Sequence, residues 1–159
     1  MAHGRLVESG RTVAVAESLT GGLISAVLTE APGTTVTFRG GLVVYATDLK
    51  HRLAGVREDD LDESGPVDPS VAEQFASGAR DRLRADYGIG VTGVAGPTEQ
   101  DGHPVGEVFV AVASADATTV TRHQLEGNRA ELRLAAATAA LADFVGVLDA
   151  ATARSRDSA

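Results

Sequence analysis

The chain has 159 residues, enough for one domain with a sizeable core, and a formal net charge of -8. An acidic surface repels nucleic acid and anionic lipid, so neither is expected as a partner. With no cysteine, disulfides, thiolate catalysis and cysteine-based zinc sites are excluded.

The first ten residues are short and polar and lack the apolar stretch of a signal peptide. No apolar run approaches the roughly 20 residues that a membrane span needs, so a cytoplasmic location is expected. Leu6 and Val7 fit a short first helix. Thr12–Ala16 is apolar on both alternating faces, as a strand buried in a sheet is. Ser18-Leu19-Thr20-Gly21-Gly22 turns the chain into a helix over Leu23–Leu28. Val36–Arg39 and Leu42–Tyr45 read as two short strands separated by Gly40 and Gly41, and a helix is predicted over Asp48–Ala54. Glu58, Asp59, Asp60, Asp62 and Glu63 read as a solvated connection.

Asp68-Pro69-Ser70-Val71-Ala72-Glu73 is a strong helix start, with Asp68 or Ser70 as cap and Pro69 in the first turn. That helix is predicted to reach about Ala85. Gly88–Val91 reads as another buried strand, and Glu107–Ala113 with Thr118–Leu125 as a hairpin. Asn128 and Glu131 have capping-box spacing at the head of an alanine-rich helix predicted to end near Leu148. Residues 151–159 read as a frayed tail after a single domain spanning 1–150. Helices flank the strands and the hairpin demands antiparallel pairing. The expected class is therefore α/β, a three-layer α/β/α sandwich around a mixed parallel and antiparallel sheet.

Thirteen of the fourteen strongly basic residues are arginine, and the exception is Lys50. Arginine keeps its proton, whereas a desolvated lysine can lose one near neutral pH and act as a base. Ser18 follows a buried strand at a helix start, where backbone N–H groups are free to hold a developing oxyanion. Taken alone, that serine is better read as a helix cap. Paired with Lys50 across neighbouring strands, it becomes a candidate nucleophile with a lysine base, Tyr45 helping to orient the amine or relay a proton. Gly88-Ile89-Gly90-Val91-Thr92-Gly93 matches the dinucleotide pattern GxGxxG only literally, because its first two glycines lie inside a strand and no helix follows. The Thr92–Pro97 loop either approaches a ligand through its backbone or owes its glycines to tight packing. Arg129 opens the last helix with Arg133 one turn on, where an anionic group could be held. The four histidines show no metal-ligand spacing and read as surface residues, with His103 placed in a polar loop.

In their order, several segments resemble the C-terminal domain of the competence/damage-inducible protein CinA, the nicotinamide mononucleotide amidohydrolase family. They are Ala16-Glu17-Ser18-Leu19-Thr20-Gly21-Gly22, Tyr45 through Lys50, Thr92-Gly93-Val94-Ala95-Gly96-Pro97, Pro104-Val105-Gly106 and Gly127-Asn128-Arg129. The likeness runs from about Leu6 to Leu148. It implies hydrolysis of the carboxamide of nicotinamide mononucleotide to nicotinate mononucleotide and ammonia, with no metal or other cofactor. It also implies a homo-oligomer whose partner is a small nucleotide. By this resemblance Ser18 is the nucleophile, Lys50 the base and Tyr45 an assistant. The expected substrate-binding residues are Glu17, Thr20, Gly21, Gly22, Thr47, Thr92, Gly93, Ala95, Gly96, Arg129 and Arg133. The chain departs from the family pattern at Leu19, where cysteine is usual, at Thr47, where asparagine is usual, and at Asp68, where serine is usual. Alternative readings are a nucleotide-binding regulatory domain and an amidase for a related pyridine amide.

Overall fold

The computed structural model describes residues 2–157. Five strands form one sheet: β1 (Val13–Glu17), β2 (Phe38–Val43), β3 (Tyr87–Gly93), β4 (Glu107–Ala113) and β5 (Thr118–Gln124). Six helices accompany them: α1 (Ala2–Ser9), α2 (Leu23–Leu28), α3 (Thr47–Ala54), α4 (Glu58–Ser64), α5 (Pro69–Arg82) and α6 (Arg129–Asp157). The strand order is β2-β1-β3-β4-β5. β1 runs parallel to both β2 and β3, and β4 is antiparallel to β3 and to β5. The mixed sheet expected from sequence is therefore present.

The helices cover both faces. On one side Leu6 of α1, Ile24 of α2, and Leu132, Ala136, Ala140 and Phe144 of α6 pack on Val13, Val15, Ile89, Val91, Val108 and Val110. On the other, Val71, Phe75 and Ala79 of α5 meet Ala14, Ala16, Ala54 and Val56. Phe75 and Phe144 are fully buried, each such side chain stabilising the fold by roughly 1.5–3 kcal/mol. Polar threonines, Arg122 and His123 on β5 suit an edge strand. The central strands β1 and β4 are buried throughout.

Close packing explains the glycines of the rejected dinucleotide pattern. A Cβ at Gly88 would stand 1.9 Å from Ala76 O and one at Gly90 2.2 Å from Ala72 O, so α5 rests directly on β3. The same helix meets α3 backbone to backbone, since a Cβ at Gly78 would lie 1.7 Å from Ala54 O.

Four local expectations are corrected. The two short strands around Gly40 and Gly41 are one strand, β2, whose pairing with β1 skips Arg39, so a local irregularity replaces the expected break. The acidic run forms the short helix α4, because Glu58, Asp59 and Asp60 occupy its first turn, where the helix dipole favours negative charge. Helix α6 passes its expected end and takes in residues 151–157, alanine and arginine there sustaining helix; Ser158 and Ala159 lie outside the described residues. Its segment Arg129–Arg154 is also long enough, and over an 18-residue stretch apolar enough by composition, to cross a membrane. The alanines give it that apolar composition, and one face of the helix is spent on the sheet.

Candidate active site

Parallel pairing sets the site. Glu17, the last residue of β1, is in register with Val43 on one side and Val91 on the other. Three chain segments thus leave the sheet along one edge, at the carboxyl ends of β2, β1 and β3, where ligands bind in open α/β sheets. Ser18 follows β1 and its N–H still bonds Val91 O at 3.1 Å. After β2 the chain turns at Ala46 into α3, which carries Lys50 back towards the serine. The end of β3 and the loop after it supply Thr92–Gly96, and α6 begins opposite with Arg129.

These segments enclose a cleft of about 340 Å³. Ser18, Tyr45, Thr47, Lys50, Thr92, Gly93, Ala95, Gly96 and Arg129 line it, so nine of the sequence-predicted site residues come together. Leu19, where the family pattern has cysteine, lines it as an apolar wall and is almost wholly buried.

Lys50 Nζ donates to Ser18 Oγ at 2.8 Å, to Val44 O at 2.9 Å and to Tyr45 O at 3.4 Å. Its side chain is 2% exposed, and Nζ lies 5.5 Å from the centroid of the Phe75 ring. Burial penalises the ammonium and lowers its pKa from 10.5 to about 8. A neutral amine has two N–H bonds and one lone pair. With both carbonyls holding the N–H bonds, the lone pair is left for the serine hydroxyl.

Tyr45 orients the lysine through its backbone carbonyl rather than its ring. The phenol is exposed and accepts from Arg129 Nη2 at 2.6 Å, while Arg129 Nη1 donates to Gly96 O at 2.6 Å. One guanidinium thus joins the two rims of the cleft.

Five expected substrate contacts play structural parts outside the cleft lining. Glu17 is fully buried, and its carboxylate accepts from Thr20 Oγ1 at 2.7 Å, Ile24 N at 3.2 Å, Ser25 N at 3.1 Å and Ser25 Oγ at 2.7 Å. It therefore caps the start of α2, satisfying donors that a helix leaves unpaired. Thr20 is spent on that carboxylate. Gly22 is the cap residue of α2, with φ 100°. Arg133 donates to Leu19 O and Thr20 O, both at 3.0 Å, and its guanidinium fills the space beside Gly21. Together these residues brace the turn that presents Ser18. A carboxylate and an arginine beside a serine look like ligand contacts in a sequence; only the fold shows what they face.

Other lining residues went unnoticed in the sequence. Pro66 and Val67 come from the stretch before α5, and Pro66 O accepts from Thr92 Oγ1 at 2.7 Å. Thr98, Glu99 and Gln100 come from the polar loop after β3. No spacing pattern marks such loop residues. Asp68 caps α5 by accepting from Ser70 N at 2.8 Å, as its position suggests. The histidines are all half-buried and partnered rather than free at the surface: His3 with Thr37, His51 with Val56 O, His103 with Glu107 and His123 with Asp143. A half-buried imidazole needs such a partner for its ring nitrogens.

The family model of the CinA C-terminal domain matches residues 1–148. The chain is 44% identical over 138 residues to a CinA-like protein of Frankia casuarinae, a match covering 87% of this chain and 32% of that protein. The chain thus spans about a third of the length of the curated relatives it matches. Among solved structures, the competence-damaged protein (CinA) superfamily protein from Enterobacter cloacae superposes with a TM-score of 0.87 at 31% identity, covering 91% of this chain and 86% of that one. The competence/damage inducible protein CihA from Agrobacterium tumefaciens gives a TM-score of 0.85 at 34% identity, with 93% of each chain covered.

Proposed function

The chain belongs to the CinA C-terminal domain family, and from that membership and the Ser18–Lys50 contact we propose that it is an amidohydrolase acting on nicotinamide mononucleotide. The observation that carries the reading is the 2.8 Å bond between Lys50 Nζ and Ser18 Oγ inside the cleft.

In this reading the neutral Lys50 amine accepts the Ser18 proton as Oγ attacks the carboxamide carbon. The ammonium so formed returns a proton to the amide nitrogen, the C–N bond breaks, and ammonia leaves. A pyridine-carboxyl ester on Ser18 remains. Water then attacks that ester, again giving its proton to Lys50. Release of the carboxylate restores the serine hydroxyl, so one water is consumed for each ammonia formed. Val44 O and Tyr45 O hold the lysine in place throughout, and Arg129 offers the substrate phosphate a positive charge at the cleft rim.

Ammonia release tests this directly, with nicotinamide mononucleotide, its nucleoside and free nicotinamide as substrates. Loss of a charge-assisted phosphate contact should lower kcat/KM for the nucleoside by about tenfold or more. No ammonia from the nucleotide would overturn the reading. Equal kcat/KM for nucleotide and nucleoside would remove Arg129 as a phosphate ligand.

A further inference from the structure

Away from Ser18 and Lys50, a second buried carboxylate sits where the polar loop returns to the sheet. Glu107, the first residue of β4, is 3% exposed. Its Oε2 meets His103 Nδ1 at 2.5 Å and its Oε1 accepts from Arg122 Nε at 2.6 Å. Burial pushes this carboxyl up, but the bonds to His103 and Arg122 outweigh it and leave the pKa below its ordinary value. The His103 ring also stands edge-on to Phe109, with centroids 6.1 Å apart and planes at 89°. His103 closes the loop as well as anchoring it. Its N–H donates to Gln100 O at 2.8 Å, and Gln100 N donates to His103 O at 3.1 Å. Between them Asp101 and Gly102 take positive φ, 51° and 80°, and make the tight turn. Thr98, Glu99 and Gln100, on the near limb of that turn, line the cleft.

We infer that His103, Glu107 and Arg122 are positioning residues: together they latch the 97–104 loop to the sheet and so fix the substrate-binding rim formed by Thr98, Glu99 and Gln100. The inference rests on the proposed function only for the identity of the substrate. None of the three lines the cleft, and Arg122 lies on the outermost strand. A surface arginine on the far edge of the sheet should therefore govern how well a ligand binds. It should do so without touching the reacting atoms, so the effect falls on KM and spares kcat.

Two measurements on the full chain separate the latch from the substrate assignment. In Arg122→Ala and His103→Ala, amide hydrogen exchange at Gln100 and His103 should quicken by roughly tenfold, while exchange in the 18–22 turn stays as in the wild type. KM for nicotinamide mononucleotide should rise several-fold, about three to ten, with kcat within about twofold. Arg122→Lys and His103→Asn each keep a donor towards Glu107, are milder should an alanine variant fail to fold, and should recover most of the wild-type KM. Wild-type exchange at Gln100 and His103 in the alanine variants would overturn the latch, as would a fall in kcat at constant KM. A wild-type chain inactive on the nucleotide would overturn the proposed function alone, because the exchange measurement needs no substrate.

Discussion

Arg129 and Arg133 stand one turn apart on α6 and hold different parts of the cleft. Arg129 bridges Gly96 O and the Tyr45 phenol at the rim, whereas Arg133 binds the Leu19 and Thr20 carbonyls behind the serine. Their replacements should therefore fail in different ways. Arg129→Ala should raise KM for the nucleotide by about tenfold while changing the nucleoside little, as loss of a charged hydrogen bond to phosphate does. Arg133→Ala should loosen the turn that presents Ser18 and lower kcat by tenfold or so, with KM nearly unchanged. Steady-state ammonia release with both substrates checks this. Wild-type kcat in Arg133→Ala would mean that Glu17 alone holds the turn.

The proposed chemistry makes Ser18 and Lys50 act as a unit. Ser18→Ala should leave the fold intact and lower kcat by roughly 10³-fold or more. Lys50→Arg should be nearly as harmful as Lys50→Ala, because a guanidinium keeps its charge and does not accept a proton. Activity of the wild type should rise with pH through about 8, where Lys50 becomes the neutral base. Near-native turnover in Lys50→Arg would assign the base to another group.

The buried lysine should also weigh on stability. Its pKa is lowered in the folded chain from 10.5 to about 8, so below pH 8 both states carry the proton and only the folded state suffers the desolvation. That shift corresponds to roughly 3 kcal/mol. Between pH 8 and 10.5 the unfolded chain binds more protons than the folded one, and wild-type stability rises with pH. Lys50→Met should therefore be more stable than the wild type at pH 7, with an advantage that shrinks as pH climbs towards 10.5. Urea unfolding at pH 7 and pH 10 measures both. A destabilised Lys50→Met at pH 7, or a pH-independent gap, would contradict it.

The sheet was legible in sequence because strands such as β1 and β4 are largely apolar, and the last helix has an unmistakable cap: Asn128 Oδ1 accepts from Ala130 N and Glu131 N, and Glu131 Oε2 accepts from Asn128 N. The meeting of Ser18 and Lys50 could be anticipated because parallel neighbours end at the same edge, and because a lone lysine in an arginine-rich chain stands out. The partners of Glu17, Thr20 and Arg133 were not legible, because residue type and proximity do not tell which way a side chain faces. Glu17 comes directly before Ser18, yet it points to the donors of α2. Gly40 and Gly41 suggested a break between two strands, but both pair in the ladder, with Ala14 and Val15, and the one residue skipped is Arg39. The rim formed by Thr98, Glu99 and Gln100 was hidden because irregular loops carry no periodicity from which to infer a direction.

The gap at Gly78 reaches further than its place on α5 suggests. With no methyl there, the end of α3 settles onto α5, and that end belongs to the same eight-residue helix as Lys50. A single added carbon would act as a wedge under α3, and the helix would carry its amine away from the serine. The tolerance of the Ser18–Lys50 distance is thus machined at a position with no side chain to offer. Sites of this kind escape a search for reactive groups, because what they contribute is room.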